Sequence, residues 1–112
     1  MAAVIEVRTY KIRPGQRDQI MELLRSRLFP VHEAIGIRVL GPFPSAEDED
    51  TLVWLRAFPD AASRDTMTKT LYGGGAWKDE LEGLILPAIA DYHVALVEDT
   101  ADLWGSWPQT ST

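Results

Sequence analysis

The chain has 112 residues, of which 46% are hydrophobic and 25% charged, and this length and composition fit one globular domain. It has no cysteine, which excludes disulfides, thiolate metal sites, iron–sulfur ligation and a cysteine nucleophile. The net charge of -6 disfavours nucleic acid as a partner, and no apolar run is long enough to span a membrane. Because the first residues do not form a secretion signal, we expect a cytoplasmic protein.

The first predicted element is a strand over residues 4–12, which are rich in β-branched and aromatic side chains. Strand alternation gives it an apolar face and a polar, aromatic face: Ile5, Val7 and Thr9 on the first, and Glu6, Arg8 and Tyr10 on the second. We expect the apolar face to lie under helices and the polar face to meet solvent, a ligand or a partner.

A helix follows, predicted by apolar residues spaced three and four apart between Ile20 and Ile35. Pro30 lacks a backbone donor and should distort this helix near residues 26–29. Gly36 is well placed to end the helix in the left-handed conformation. Residues 37–43 are predicted to form a strand at the edge of a sheet, because Pro42 cannot donate to a ladder.

The second half of the chain begins with an acidic hairpin loop over residues 45–50. Residues 51–58 are almost continuously apolar, which predicts a central strand buried on both faces. Asp60 is a candidate cap for the helix that follows, and the glycines at 73–75 should interrupt that helix. A second helical piece is predicted from residue 76 to about residue 90, and a last strand over residues 91–98.

The order of these elements predicts an α+β fold of the ferredoxin-like βαββαβ kind, over residues 1–100, followed by a tail over residues 101–112. Right-handed crossovers place both helical regions on one face of a four-stranded antiparallel sheet. The other face is predicted to be bare and aromatic, with these side chains exposed on it: Arg8, Tyr10, Trp54, Arg56 and Phe58. Since a monomer does not readily expose such a patch, we expect a homodimer in which a second copy covers it.

Four short motifs occur along the chain in a characteristic order: IEVRTY at residues 5–10 followed by Pro14-Gly15, Leu40-Gly41 with Phe43, WLRAFPD at residues 54–60 with Arg64, and Trp77 after the glycines. Together they resemble the NIPSNAP family over residues 3–99. The resemblance implies a dimeric α/β barrel built from two sheets. It also implies membership of a superfamily that contains cofactor-free monooxygenases, polyketide cyclases, dehydratases, isomerases and haem-handling proteins.

The candidate catalytic residues are Tyr10, His32, Arg8 and His93. In one interpretation Arg8 orients an anionic or enolate oxygen while Tyr10 donates a proton. In the other, Glu6 and Arg8 form a buried ion pair at the dimer interface and Tyr10 packs between the sheets.

His32 is either a general base near neutral pH or a partly exposed helix histidine. His93, on the last strand, either enters a pocket between sheet and helices or borders the sheet. The two histidines have no chelating spacing, so no metal is expected.

The candidates for contact with a bound small molecule are Trp54, Arg56, Phe58, Tyr72 and Trp77. Tyr72 and the three glycines form either a lid over a pocket or a flexible connector, and Trp77 is either a core residue or a stacking surface. The glycines lack the strand before them and the lysine after them that a phosphate-binding loop needs. In the tail, either Trp104 and Trp107 pack on a partner subunit or the tail is disordered.

We therefore expect a cofactor-independent enzyme that works by proton transfer on a small, apolar, oxygenated substrate, in secondary metabolism. Cyclisation, dehydration, isomerisation and monooxygenation are the reaction types that remain open. The alternative is a non-catalytic dimeric protein that binds a small molecule or acts as a scaffold, and a third hypothesis is a haem-binding module. A histidine or tyrosine in contact with the bound molecule favours the enzyme, whereas haem requires an axial histidine that faces a large apolar cavity.

Overall fold

The predicted order of strands and helices is confirmed by a computed structural model, which describes residues 2–104. The strands are β1 Ala3–Ile12, β2 Arg38–Pro44, β3 Thr51–Phe58 and β4 Ile89–Asp99. The helices are α1 Arg17–Leu23, α2 Phe29–Ile35, α3 Ala61–Gly73 and α4 Glu82–Ile85. Residue 1 and residues 105–112, which include Trp107 of the predicted tail, lie outside the described residues.

The four strands form one antiparallel sheet in the order β2-β3-β1-β4, as a ferredoxin-like α+β fold requires. β2 lies at the edge and β3 in the interior, as Pro42 and the apolar run of β3 predict. In the register between β1 and β3, Glu6 is opposite Arg56 and Arg8 is opposite Trp54. These pairs place the charged residues of both strands on the same face of the sheet.

The first helical region contains the irregularity that Pro30 predicts. A π-helical turn, Leu24–Leu28, separates α1 from α2, and Pro30 stands in the first turn of α2. Gly36 ends α2 in the left-handed conformation with a φ of 103°, as its position predicts. The apolar side of this region packs on the sheet, with Ile20, Leu24 and Leu28 buried in the core.

The second helical region begins at Asp60, whose Oδ1 accepts a hydrogen bond from the backbone of Ser63 at 2.7 Å. This is the predicted N-cap of α3. The break falls at Gly74, which is extended, and Gly73 still belongs to α3. A π-helical turn (Ala76–Leu81), α4 and a 3₁₀ turn (Leu86–Ala88) then lead into β4.

The predicted orientation of the sheet was wrong, because the helices cover the polar, aromatic face. Buried under them are Glu6, Tyr10, Trp54, Arg56 and Phe58, and Arg8 is largely buried beside them. The opposite, uncovered face is aliphatic: Ile5, Val7, Val53 and Leu55 are half-buried there, and Leu40, Phe43 and Val97 are exposed. β3 is therefore fully buried on one face only, which also corrects the prediction of two buried faces.

The physical reason for the reversal is an internal ion cluster centred on Glu6, which is only 1% exposed. Its carboxylate accepts hydrogen bonds from Arg8, from Arg56 Nε at 2.8 Å and from Arg64 Nε at 2.7 Å. Burial alone would raise the pKa of Glu6, but the neighbouring Arg56, Arg64 and Arg8 lower it below the ordinary value. A carboxylate satisfied in this way can lie under helices, although a simple alternation of polar and apolar residues places it in solvent.

His32 extends this cluster to α2 and is fully buried, so the prediction of a partly exposed histidine was wrong. Its Nδ1–H donates to the Leu28 carbonyl at 2.9 Å, and its Nε2 accepts from Arg56 Nη1 at 3.1 Å. Both ring nitrogens of the neutral imidazole are therefore hydrogen-bonded. Burial, reinforced by Arg56 and Arg8, lowers the pKa of His32 to about 4.

The chain after β4 turns back on Asp99, whose carboxylate accepts from the backbone of Leu103 at 2.7 Å and of Trp104 at 2.8 Å. The Trp104 ring lies 5.7 Å from the guanidinium carbon of Arg38. The start of the predicted tail thereby borders the uncovered face of its own sheet, next to Leu40 and Leu55.

The buried His32 predicts a pH-dependent stability. Between its folded pKa and its ordinary value the unfolded chain binds a proton that the folded chain does not, so stability is lost as the pH falls. From about pH 7.5 to about pH 5 this should lower the free energy of unfolding by about 2 kcal/mol. Urea denaturation at both pH values measures the difference.

The matched variants are His32→Gln and His93→Gln, because His93 is exposed on the uncovered face, opposite Thr9. His32→Gln should lose most of the difference between the two pH values, whereas His93→Gln should keep it. Equal pH dependence in wild type and His32→Gln would show that His32 is not the responsible group.

Candidate functional site

A cavity of about 190 Å³ lies between the helix-covered face of the sheet and the helices. Its apolar and aromatic lining includes Leu28, Trp54, Trp77, Ile85 and Ile89. Its polar groups are contributed by Arg8, Tyr10, Tyr72 and Tyr92. An apolar cavity with a few convergent polar groups is the usual form of a small-molecule site.

Tyr10 and Arg8 form the polar centre of this cavity. Arg8 Nε donates a hydrogen bond to the Tyr10 hydroxyl oxygen at 3.1 Å, and Arg8 also pairs with Glu6. Since the oxygen already accepts from Arg8, the hydroxyl hydrogen is available to an acceptor, and none is recorded for it among residues 2–104. Burial raises the pKa of Tyr10 despite the nearby Arg8, so the phenol stays protonated at neutral pH.

Aromatic contacts fix the walls around this pair. The Tyr10 and Trp54 rings meet edge to face with centroids 6.0 Å apart, and the Arg8 guanidinium carbon lies 5.5 Å from the Trp54 ring. On the other side, Tyr72 and Trp77 pack edge to face at 5.2 Å across the three glycines. The glycines therefore connect two residues that line the same cavity.

Five of the nine predicted site residues line the cavity: Arg8, Tyr10, Trp54, Tyr72 and Trp77. Arg56 borders an adjoining open groove, and Phe58 is buried in the sheet outside both spaces. His32 is buried on α2 and contacts Arg56, while His93 lies on the opposite face of the sheet. The described residues thus place no histidine on the cavity wall, where the haem hypothesis requires one.

The sequence reasoning missed two residues at this site, Arg64 and Tyr92. Arg64 reaches Glu6 from α3, and Tyr92 pairs with Tyr10 across β1 and β4. Tyr92 can be assigned to the face of Tyr10 from the alternation of side chains along β4, once the register between β4 and β1 is known. Arg64 belongs to the motif at residues 54–64, but nothing local in the sequence indicates its contact with Glu6, which spans 58 positions.

Within residues 2–104 no three histidine, aspartate or glutamate side chains are grouped so that they could hold a metal ion. In the same part of the chain, every helix is too short or too polar to cross a bilayer.

The family model described as NIPSNAP matches residues 5–85. Among solved structures, an uncharacterized NIPSNAP domain protein from Burkholderia xenovorans is similar with a TM-score of 0.74 and 17% identity, over 84% of this chain and 91% of that chain. A NIPSNAP family protein with unknown function from Agrobacterium tumefaciens has a TM-score of 0.75 and 18% identity, over 86% of each chain.

A protein from Bacteroides thetaiotaomicron described as a possible oxidoreductase has a TM-score of 0.66 and 10% identity, over 87% of this chain and 97% of that chain. No curated protein matches. At these identities the solved structures agree with the chain in fold alone. Since the family model spans most of β1 through α4, the chain belongs to the NIPSNAP family.

Proposed function

We propose that the chain is an enzyme that works by proton transfer on a small, apolar, oxygenated substrate held in the cavity. One observation carries the proposal. Tyr10, buried and protonated, keeps its hydroxyl hydrogen available while Arg8 binds its oxygen at 3.1 Å. A hydrogen bond from Arg8 polarises the phenol, which makes it a better donor to a carbonyl or enolate oxygen.

The proposed step is the stabilisation of an enolate. Water or hydroxide removes a proton from the carbon next to the carbonyl group, and the negative charge that develops on the oxygen is stabilised by Tyr10, with Arg8 behind it. The apolar walls formed by Trp54 and Trp77 lower the local dielectric constant and so strengthen this hydrogen bond. Isomerisation, cyclisation, dehydration and monooxygenation of an enolisable substrate all begin from such a species.

A second candidate function is binding without catalysis. It is favoured because the two candidate bases, Glu6 and His32, are already occupied by hydrogen bonds. Glu6 is saturated by three arginines, and both nitrogens of His32 are engaged. Neither group is therefore ready to accept a proton from a ligand. A binding protein needs only the hydrogen-bond donor and the apolar walls.

Butyrophenone, a small apolar ketone, serves as the test substrate for the enzyme hypothesis. We expect the wild-type protein to accelerate exchange of its α-protons in deuterium oxide, as followed by proton NMR. Tyr10→Phe should slow the catalysed exchange by about 100-fold, because it removes the donor that stabilises the enolate.

The matched control is Thr9→Val, which removes a hydroxyl from the neighbouring residue on the opposite face of β1. It should leave the exchange rate unchanged. Binding of butyrophenone without any exchange would refute the enzyme hypothesis and support the binding protein.

We also propose that the chain forms a homodimer, through the aliphatic face of the sheet rather than the aromatic one. Leu40 is 50% exposed on this face, and Phe43 and Val97 are exposed near it. Ile5 and Leu55 extend the same apolar surface across the middle strands. A contiguous apolar sheet face is typically covered by a second sheet at about 10 Å, and a copy of the same face provides a matching surface.

In size-exclusion chromatography with light scattering at micromolar concentration, we expect twice the 12.5 kDa mass of one chain. Leu40→Lys and Leu55→Lys should each shift the protein to the monomer, because each places a charge in the apolar contact. Leu84→Lys is the control, since Leu84 is also 50% exposed but lies on α4. A wild-type monomer, or a dimer that both variants preserve, would rule out this interface.

A further inference from the structure

The ion cluster under the helices contains more positive than negative charge. Three arginines, Arg8, Arg56 and Arg64, surround the single carboxylate of Glu6, so three positive charges and one negative charge leave a surplus of two. This surplus stands in a chain whose net charge is -6. A partly buried positive surplus is costly unless an anion completes the cluster.

The hydrogen-bond donors within the cluster are unequally used. Arg56 is engaged by Glu6 through Nε and by His32 through Nη1. Arg8 uses Nε and Nη1 on Tyr10 and Glu6, which leaves Nη2. Arg64 uses only Nε, and among residues 2–104 no hydrogen bond is recorded for its two terminal nitrogens. The fork of Arg64 is the unsatisfied end of the cluster.

This end faces an open groove rather than the protein interior. The Arg64 side chain is 37% exposed, and it borders a groove of about 470 Å³ together with Arg8 and Thr68. Lys69 also lines the groove, but its charge is offset by Asp65 at 3.2 Å. The groove therefore presents a planar guanidinium fork, the geometry that binds a carboxylate through two parallel hydrogen bonds.

The groove and the apolar cavity are neighbours that share lining residues. Arg8, Tyr72 and Tyr92 border both spaces. A molecule could therefore place an apolar body between Trp54 and Trp77 while one polar end passes Tyr72 into the groove.

We propose that the ligand of this site is an amphipathic carboxylate, with its apolar part in the cavity and its carboxylate on Arg64 and Arg8. The inference rests on the proposed function of the cavity and adds the charged group that its substrate must carry. An enolisable ketone with a terminal carboxylate fits both parts of the site. Tyr10 meets the ketone oxygen, and the Arg64 fork binds the carboxylate.

Benzoylpropanoate and its neutral amide, benzoylpropanamide, test the proposal, because they differ only in the charged end. Isothermal titration calorimetry should show that the wild-type protein binds the acid about 10-fold more tightly than the amide. Arg64→Gln should remove this preference by weakening the acid alone, and Arg64→Lys should restore part of it. Arg25→Gln is the control, since Arg25 is exposed on the first helical region and pairs with Glu22 at 2.9 Å.

The outcomes separate this inference from the proposed function. Equal affinity of the wild-type protein for acid and amide would overturn the carboxylate site while leaving the cavity intact. Failure of both compounds and of butyrophenone to bind would overturn the cavity and the carboxylate site together. The comparison of acid and amide needs only the wild-type protein, so it stands even if Arg64→Gln does not fold.

Discussion

The carboxylate of Glu6 is the interaction on which the rest of the structure depends. It joins β1 to β3 through Arg56 and to α3 through Arg64, and Arg56 in turn binds His32 of α2. One side chain thereby fixes two strands and two helices. Because a buried carboxylate without partners is very unfavourable, the burial of Glu6 under the helices requires these arginines as its partners.

The same cluster prepares the cavity next to it. Glu6 and Tyr10 both bind Arg8, which positions the guanidinium against the wall of the cavity and leaves the Tyr10 hydroxyl hydrogen available. The polar side chains considered for acid–base chemistry therefore divide into two sets. Glu6 and His32 stabilise the architecture, whereas Tyr10 and Arg8 face the space where a ligand can bind.

Local signals in the sequence were sufficient to predict the fold. Asp60 caps a helix, Gly36 ends one and Pro42 marks an edge strand, and each acts through the backbone of a few neighbouring residues. The face of the sheet that is covered was not predictable in this way. It depends on contacts between residues far apart in the sequence, such as those of Arg56 and Arg64 with Glu6, which allow a polar face to be buried.

The same limit applies to the site. Tyr10 and Arg8 were recognisable as a pair because they lie two residues apart and therefore on the same face of one strand. Tyr72 was recognisable because it precedes three glycines. His32 was misjudged, since the sequence does not reveal that Leu28 and Arg56 satisfy both of its nitrogens. The uncovered aliphatic face likewise followed only from knowing where the helices lie.

Strand β1 contributes to two different surfaces, one on each face of the sheet, and the parity of a residue decides to which surface it belongs. Even-numbered side chains supply the ion cluster and the cavity wall, and odd-numbered ones supply the aliphatic surface on the other side. Substitutions can alter either set independently, but an insertion or deletion of one residue would exchange the two sets at once. A change in the length of this strand should therefore disturb the site and the uncovered face together, whereas most single substitutions in it affect only one of them.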